Sequence, residues 1–337
     1  MYNVAVVGAT GAVGQEFLSI LEEREFPIKQ LRLFASARSK GQTLTFQGAE
    51  LAVEELSETA DLRGIQICLA SAGAGVSKQF MPIFAKAGSV VIDNTSAFRM
   101  DADVPLVVPE VNGAAAKNRP RGIIANPNCS TIQMVVALKP IHDAAKITRI
   151  IVATYQSVSG AGARAIYELE SQVNSYVQGI DPPAREKFPH PIAFNCIPQI
   201  DVFLDNGFTK EEMKMVQETH KILYPAIRVT ATCVRVPVFR SHAEAVYIET
   251  AKKISAAEAR NVMAAAPGVQ VVDNPGNKEY PLQVYAEGRD PVYVGRVRED
   301  TGNDHGLNLW VVSDNIRKGA ALNAVQIAEL LIAKKWL

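Results

Sequence analysis

The strongest constraint on the fold is the alternation of short β-branched runs with helical segments in the first third of the chain. Runs such as NVAVVGA, LRLFAS and SVVIDNTS are separated by QEFLSILEERE and QFMPIFAKAG, whose apolar residues recur with a helical period. Strands that alternate with helices form βαβ units on a parallel sheet. Pro27 and Gly88 stand where two of these helices should end. An α/β domain is therefore predicted at the start of the chain.

The pattern changes from about Thr148 onward. Two amphipathic segments, ARAIYELESQVNSYVQG and KEEMKMVQETHKIL, are followed by long strand-like stretches from IRVTATCVRVPVF to GLNLWVVSDN. This part is typical of a mixed α+β domain with a larger, antiparallel sheet. A length of 337 residues fits about two domains. The final segment, IRKGAALNAVQIAELLIAKKWL, predicts a helix that we expect to return to the first domain.

Composition excludes several classes of protein. The 35 basic residues balance 35 acidic ones, so no polyanion or anionic membrane is indicated as a partner. The start lacks the basic segment of a signal peptide, and no apolar run approaches the ~18 residues that a membrane span needs. The four cysteines are widely spaced without a CxxC pair, which argues against zinc sites and disulfides, and no metal is expected. A reducing cytoplasmic compartment is the expectation.

The segment GATGAVG, from Gly8 to Gly14, follows the first strand and opens the first helix. Glycines at this turn let the backbone approach a pyrophosphate, which the helix N-terminus then favours. The spacing is GxxGxxG rather than GxGxxG. On its own this spacing is weak evidence, because a glycine turn between a strand and a helix is often only a turn. Inside a βαβ pattern, Gly8 and Gly11 predict a dinucleotide site.

The second strand indicates which dinucleotide. An NAD site places an acid about 20 residues beyond the glycines, whereas here LRLFAS ends in SARSK with no acid in reach. Ser36, Arg38 and Ser39 can instead hold a 2′-phosphate, although a solvated basic loop is the alternative. Ser71 and Gly73, after IQICLA, offer further positions close to the nucleotide. NADP is therefore predicted rather than NAD.

Cys129 lies in NPNCST, where a short strand ends and an apolar helix begins. A helix N-terminus can lower a thiol pKa from ~8.5 into the range of ~3.5–7.5, although most free cysteines are inert and packed. Asn126 and Asn128 are suited to capping that helix or to donating to an oxyanion. The other three cysteines stand in apolar or strand-like runs, where core packing is expected: Cys68, Cys196 and Cys233.

Five segments in order resemble the aspartate-β-semialdehyde dehydrogenases: GATGAVG, DNTSAFR, NPNCST, YQSVSGAGA and RVPVFRSHAEAV. The resemblance covers nearly the whole chain. It implies a Rossmann-type NADP-binding domain (residues 1–127 and 316–337) and a glyceraldehyde-3-phosphate-dehydrogenase-like catalytic and dimerisation domain (residues 128–315). It also implies a homodimer. The family reversibly converts L-aspartate-4-semialdehyde, NADP and phosphate into 4-phospho-L-aspartate through a thioacyl intermediate, in lysine, methionine and threonine biosynthesis.

The resemblance also assigns roles to individual residues. Cys129 matches the acyl-enzyme nucleophile, His242 the general acid/base and Gln156 the residue that orients the thioacyl group. Arg235 matches the residue that binds the substrate's α-carboxylate, and Glu211 matches the residue that contacts its amino group. The positions that match the phosphate site are Arg99 and Lys214, and those that match cofactor contacts are Thr10, Gly11, Ala12, Val13, Arg38, Ser39, Ser159, Gly160 and Asn315.

Oxidation of an aldehyde through a thioester requires residues of these types. A thiolate that adds to an aldehyde gives a hemithioacetal, whose collapse expels hydride, and a histidine titrating near neutrality suits the proton transfer. Strict strand alternation would put Arg235 and His242 on opposite faces, so they share a pocket only if the chain bends near Pro237 or FRSH. Glu211 and Lys214, three apart on a helix, can equally form a solvent ion pair, and Arg99 can lie in a surface loop.

Other functions remain open at this point. The nearest rival is a related acyl-phosphate reductase, such as N-acetyl-glutamyl-phosphate reductase. Gln133 after NPNCST, and Glu211 for a free amino group, favour the aspartyl substrate. A catalytically silent NADP-binding paralogue would not need Cys129, Gln156 and His242 together. A cysteine hydrolase would not need the NADP-type loop.

Overall fold

The structure is a computed structural model that describes residues 1–181 and 185–337. It divides into two compact units, one made of residues 1–128 and 320–337 and the other of residues 129–319. The first unit is α/β and the second is α+β, so the predicted fold class is confirmed. Among the described helices, none has both the length and the apolar character needed to cross a membrane.

Elements are numbered through the whole chain. The strands of the first unit are β1 (Tyr2–Val7), β2 (Ile28–Ala35), β3 (Thr43–Phe46), β4 (Ala49–Glu55), β5 (Ile67–Ala70), β6 (Val90–Asp93) and β7 (Ile123–Ala125). Its helices are α1 (Ala12–Glu23), α2 (Ala74–Lys86), α3 (Pro109–Asn112) and, after the second unit, α9 (Leu322–Ala333).

The first unit is built on a seven-stranded sheet in the order β3-β4-β2-β1-β5-β6-β7. Neighbouring strands are parallel except for β3 and β4, as the βαβ pattern predicts. Helix α9 packs on α1 and contributes Val325, Ala328 and Leu331 to the core beside Phe17 and Leu21. The C-terminal segment is thus part of the core of the first unit, as expected.

In the second unit the strands are β8 (Ile147–Gln156), β9 (Arg228–Arg235), β10 (His242–Thr250), β11 (Val269–Val271), β12 (Val292–Glu299) and β13 (Gly306–Ser313). The helices are α4 (Cys129–Ala145), α5 (Ala163–Gln178), α6 (Lys210–Ile222), α7 (Ala256–Ala264) and α8 (Gln283–Ala286).

The sheet of the second unit has six strands in the order β11-β12-β13-β10-β8-β9. The prediction of an antiparallel sheet is right only for the centre of this sheet. The pairs β12–β13, β13–β10 and β10–β8 are antiparallel, but β8–β9 and β11–β12 are parallel. The sheet is also smaller by one strand than that of the first unit. A parallel edge is possible because α5 and α6 lie in the long connection between β8 and β9.

One face of this sheet is buried and carries polar residues. On β8, Thr154 and Gln156 are buried whereas Tyr155 is exposed, and on β10 His242 and Glu244 are buried together. Helices α4 and α6 contact the sheet and each other. Burying polar groups costs free energy unless they form hydrogen bonds. This polar, buried face is therefore the candidate for a functional site.

Candidate active site

The glycine-rich turn of the first unit brings backbone segments into close contact. Gly8 has φ +84°, and a Cβ there would lie 2.7 Å from the Ser71 carbonyl oxygen. A Cβ on Gly14 would lie 2.1 Å from the Gly8 oxygen. Any side chain at these two positions would force the turn apart. The turn therefore presents bare backbone just before α1, whose first residues are Ala12 and Val13, and this suits a pyrophosphate.

A cavity of about 590 Å³ opens beside this turn. It is lined by Gly8, Thr10, Gly11, Ser36, Arg38, Ser71 and Glu55, among others. Ser39 joins the group through its hydroxyl, 3.4 Å from that of Thr10. The polar side chains predicted to hold the adenosine end of a dinucleotide thus lie together.

Glu55, at the end of β4, is a lining residue that the sequence did not indicate. Its carboxylate is held by Lys40 at 3.1 Å. Glu55 lies farther from the glycines than the ~20 residues expected of an NAD site, because β3 and its flanking turns lie between β2 and β4 in the chain. Only the pairing of β4 with β2 brings it to the pocket.

Arg99 is 8% exposed, so the alternative of a surface loop is wrong. Its Nη2 donates to the Asn94 carbonyl oxygen at 3.0 Å. Nearby Asp93 is buried and accepts from Thr95 and Ser77; burial raises its pKa, which these hydrogen bonds and the Arg99 charge oppose. The DNTSAFR segment is therefore an ordered part of the first unit.

Cys129 is the first residue of α4 and is half-buried, which is the setting expected for an activated thiol. A Cβ on Gly319 would lie 2.8 Å from the Cys129 Cβ, so glycine is required beside it. Asn126 is not the oxyanion donor that the sequence suggested. Its amide nitrogen donates to Asn94 and to the Ala320 carbonyl oxygen, so both hydrogens are engaged within the first unit.

The other cysteines follow the prediction with one exception. Cys68 and Cys233 are buried, and burial raises the pKa of each thiol. The expectation of core packing is wrong for Cys196, which is exposed. It belongs to the irregular segment between α5 and α6, where its backbone N–H bonds to the Asn195 side chain.

Three predicted site residues lie side by side on adjacent strands. Gln156 ends β8 and pairs with Arg235 on the parallel strand β9 and with His242 on the antiparallel strand β10. The chain leaves β9 after Arg235, turns through Ser241 (φ +72°) and enters β10 at His242. The bend expected near Pro237 is therefore present, and the seven-residue spacing does not separate the two side chains.

Helix α6 brings a partly buried ion pair to the same unit. The helix begins with a capping box between Thr209 and Glu212, both buried. Glu211 is 5% exposed and lies 3.0 Å from the Lys214 ammonium, which also contacts Asp201 at 3.0 Å. Burial lowers the pKa of Lys214, but these two carboxylates outweigh that effect and raise it. The alternative of a solvent ion pair is wrong.

Hydrogen bonds connect these groups. Gln156 Nε2 donates to Glu211 Oε1 at 3.2 Å and lies 3.4 Å from His242 Nε2. Arg235 Nη1 donates to the Ser157 carbonyl oxygen at 2.6 Å. Burial lowers the pKa of Arg235, and the Glu211 carboxylate and the Cys129 sulfur oppose that shift. The nucleophile candidate thus lies within electrostatic reach of the arginine.

His242 is fully buried. Burial, reinforced by the Arg235 charge, lowers its pKa to about 3. This buried setting favours the neutral ring, whereas the residue type alone suggests a pKa near neutrality. Ser159 and Gly160 follow β8 closely: the Ser159 hydroxyl bonds to Asn315 Oδ1, and a Cβ on Gly160 would lie 3.3 Å from His242 Nε2 and 3.0 Å from Arg235 Nη1.

The second unit therefore assembles a thiol at a helix N-terminus, a neutral imidazole, a buried guanidinium and an amide anchored to a carboxylate. That set can add sulfur to a carbonyl while it holds a substrate carboxylate. The first unit offers a nucleotide cavity. Each set of features is typical of a dehydrogenase that works through a cysteine thioester.

Comparisons with known proteins agree with this class of enzyme. Residues 3–119 match the family model of the semialdehyde dehydrogenase NAD-binding domain, and residues 138–318 match that of the semialdehyde dehydrogenase dimerisation domain. The class is thus a semialdehyde dehydrogenase with a pyridine-nucleotide domain.

Individual relatives narrow the class. The aspartate-semialdehyde dehydrogenase of Aquifex aeolicus is 59% identical over 98% of both chains. A crystal structure of aspartate semialdehyde dehydrogenase II from Vibrio cholerae complexed with ASA has a TM-score of 0.96 and 55% identity, covering 99% of this chain and 98% of that one. One from Candida albicans with NADP has a TM-score of 0.78 and 26% identity over 100% of both chains. The chain belongs to the aspartate-semialdehyde dehydrogenase family, and the resemblance seen in the motifs is confirmed.

Proposed function

We propose that the chain catalyses the reversible, phosphate- and NADP-dependent conversion of L-aspartate-4-semialdehyde to 4-phospho-L-aspartate. The observation that carries the proposal is the row of Arg235, Gln156 and His242 across three strands, in the same unit as Cys129 at the start of α4. Relatives named aspartate-semialdehyde dehydrogenase, one of them solved with ASA, support this substrate over an N-acetylated glutamyl one.

The roles of the residues follow from their chemistry. The Cys129 sulfur adds to the aldehyde carbon and becomes the thioacyl carrier. The planar guanidinium of Arg235 suits the α-carboxylate. The buried Glu211 carboxylate suits a positively charged α-amino group, and the acetylated amino group of an N-acetyl substrate carries no charge. Gln156 holds the acyl oxygen in place. The nicotinamide ring, when bound, supplies the hydride acceptor.

Phosphate must attack the thioester, so cations must hold it. Lys214 is the proposed ligand in the second unit, and the two carboxylates beside it keep its ammonium charged. Arg99 is the proposed ligand from the first unit, because it is buried and ordered. Phosphate binding by either residue is part of the proposal.

NADP is the proposed cofactor. Arg38 and Ser36 line the nucleotide cavity together with Thr10, whose hydroxyl lies next to that of Ser39. The Candida albicans relative was solved with NADP, which supports the same choice. We expect Arg38→Ala to raise KM for NADP far more than KM for NAD. An unchanged ratio of the two constants would remove Arg38 from the site.

A homodimer is part of the proposal. One face of the second sheet exposes Ile151 and Tyr155, and the Tyr155 ring packs at a tilt against Trp310 with ring centroids 5.4 Å apart. These residues fall within the segment that matches the dimerisation domain. Apolar patches of this kind mark interaction surfaces. Light scattering with size-exclusion chromatography, on the chain and on Tyr155→Asp, measures the assembly directly.

One assay tests the reaction itself. NADP reduction is followed with aspartate semialdehyde and, in parallel, with N-acetylglutamate semialdehyde, each with and without inorganic phosphate. We expect phosphate-dependent turnover of the first substrate and its loss in Cys129→Ala, with cofactor binding retained. Turnover of the N-acetylated substrate alone, or normal turnover by Cys129→Ala, would overturn the proposal. Cys196→Ala, which removes an exposed thiol, is the matched control.

A further inference from the structure

A carboxylate lies at the edge of the nucleotide cavity where the proposed 2′-phosphate binds. Ala35 and Glu55 are paired on the parallel strands β2 and β4, and the Leu56 N–H donates to the Ala35 carbonyl oxygen at 2.8 Å. These contacts place Glu55 beside the end of β2, from which Ser36 and Arg38 continue along the cavity wall. An acid at the carboxyl end of such strands ordinarily accepts from the ribose hydroxyls of NAD, and its charge opposes the phosphate of NADP.

The cavity has an apolar wall and a charged edge. Val76 and Phe80 of α2 supply apolar lining, whereas Arg38 and Glu55 are its charged lining residues and come from the ends of β2 and β4. Nucleotide bases pack on apolar side chains, so we expect the adenine against α2 and the ribose at the charged edge. A 2′-phosphate at that edge meets one positive and one negative side chain.

Lys40 supplies a counter-charge to this acid. Its ammonium lies 3.1 Å from Glu55 Oε2. The backbone holds the pair together: the Gly41 N–H donates to the Val53 carbonyl oxygen at 3.0 Å, and the Val53 N–H donates to the Gln42 carbonyl oxygen at 2.8 Å. The loop after β2 is therefore fixed along β4, and Lys40 reaches the carboxylate from there.

The pairing leaves Arg38 available to an anion. Glu54, the other acid at the end of β4, is engaged by Arg32 at 2.6 Å, and Glu55 is engaged by Lys40. Within residues 1–181 and 185–337, no group forms an ion pair or a hydrogen bond with the exposed Arg38 guanidinium. Both acids are thus matched with cations other than the one that faces the proposed phosphate.

We propose that Lys40 is a specificity-determining residue for the cofactor, because its ammonium compensates the Glu55 carboxylate and so lets a 2′-phosphate bind Arg38 at the same edge. The inference rests on the NADP dependence in the proposed function, and it explains how an acid and a 2′-phosphate share one cavity. Without the Lys40 charge, the carboxylate repels the phosphate and can accept from a free 2′-hydroxyl instead. The preference then moves from NADP toward NAD.

The size of the effect follows from the exposure of the pair. The side chains of Lys40 and Glu55 are 66% and 37% exposed, so water screens their charges strongly. A phosphate monoester carries about −1.5 to −2 charges at pH 7. One solvated unit charge roughly 7 Å from such a group changes its affinity by about threefold to tenfold at low ionic strength, and added salt removes much of that effect.

Two cofactor fragments that differ only by the 2′-phosphate provide the test. Isothermal titration calorimetry measures the dissociation constants of 2′,5′-ADP and 5′-AMP for the full chain at low salt. In Lys40→Gln we expect 2′,5′-ADP to bind about threefold to tenfold more weakly, whereas 5′-AMP does not weaken. At about 0.5 M salt the loss should shrink to less than about twofold. Equal weakening of both fragments, no weakening, or a loss that salt does not change overturns the proposal.

A second substitution separates charge compensation from direct contact. Glu55→Gln in the Lys40→Gln background restores the wild-type net charge at the edge, so 2′,5′-ADP should again bind within about twofold of its wild-type affinity. A double variant as weak as Lys40→Gln would make Lys40 itself a phosphate ligand and refute its compensating role. Lys29→Gln is the matched control, because it removes an exposed lysine at the other end of β2, roughly 20 Å away, and should change neither affinity.

The fragments need no semialdehyde, so their binding is independent of turnover. Wild-type protein that binds both fragments equally would refute NADP as the cofactor, and this inference with it. A wild-type preference for 2′,5′-ADP that Lys40→Gln leaves unchanged would refute only the role of Lys40. Absence of aspartate semialdehyde turnover, with the expected shift in fragment binding, would refute only the proposed reaction.

Discussion

The Glu244 carboxyl on β10 offers a quantitative test of the buried polar face. It is fully buried, and its two oxygens have no hydrogen bond of normal geometry within the described part of the chain. Burial raises its pKa well above the ordinary value, although the Gln133 amide on α4 acts in the opposite direction. We therefore expect the carboxyl to be neutral in the folded chain near neutral pH and ionised in the unfolded chain.

Glu244→Gln replaces a neutral acid by a neutral amide of the same shape. Below a pH of about 4.5 the carboxyl is protonated in both states, so its ionisation adds nothing to the comparison. Above that pH, unfolding of the wild type releases a proton. Its free energy of unfolding then falls relative to the variant by about 1.4 kcal/mol per pH unit, until the folded carboxyl ionises. Between pH 5.5 and 7.5 the difference should shift by about 2.7 kcal/mol in favour of the variant.

The assay is urea unfolding of both proteins at the two pH values. The chain has two tryptophans, so a Trp336→Phe background leaves Trp310 to report the second unit. The control is Glu170→Gln, which makes the same chemical change at an exposed position of α5. A difference in unfolding free energy that is independent of pH would refute the reasoning, because it would mean that Glu244 is ionised in the folded chain.

Two further changes test the geometry of the site. Thr209→Ala removes one of the two bonds of the capping box of α6 and should lower the free energy of unfolding by about 1 kcal/mol, measured by urea denaturation; no loss would mean that the cap is redundant. Gly160→Ala places a Cβ 3.0 Å from Arg235 Nη1 and 3.3 Å from His242 Nε2. We expect kcat/KM for the semialdehyde to fall by roughly tenfold to a hundredfold with little change in thermal stability; unchanged kinetics would place Gly160 outside the substrate space.

Local patterns predicted most of the fold. The helix and strand periods give the parallel sheet of the first unit, and GATGAVG gives the turn before α1, because both depend on residues close in sequence. The parallel edges of the second sheet were not predictable in this way. One of them depends on β8 pairing with β9 across more than 70 residues of intervening chain, and no local period reports such a contact.

The candidate site shows the same division. Cys129 was identified from its neighbours in NPNCST, since a helix N-terminus is a local feature. Glu244 was not singled out as a buried acid, because its burial against α4 comes from packing that the sequence does not display. Asn126 was misassigned for a related reason: its amide is consumed by Asn94 and Ala320, of which the second lies 194 residues away.

The alignment of Gln156, Arg235 and His242 has a consequence for assembly of the second unit. Side chains alternate along a strand, so slippage of β9 or β10 by one residue against β8 would turn a member of the trio away from the others. A misregistered sheet would still bury apolar residues and give strand-like spectra, yet it could not catalyse. Recovery of activity during refolding is thus a more stringent gauge of native strand alignment than recovery of secondary structure.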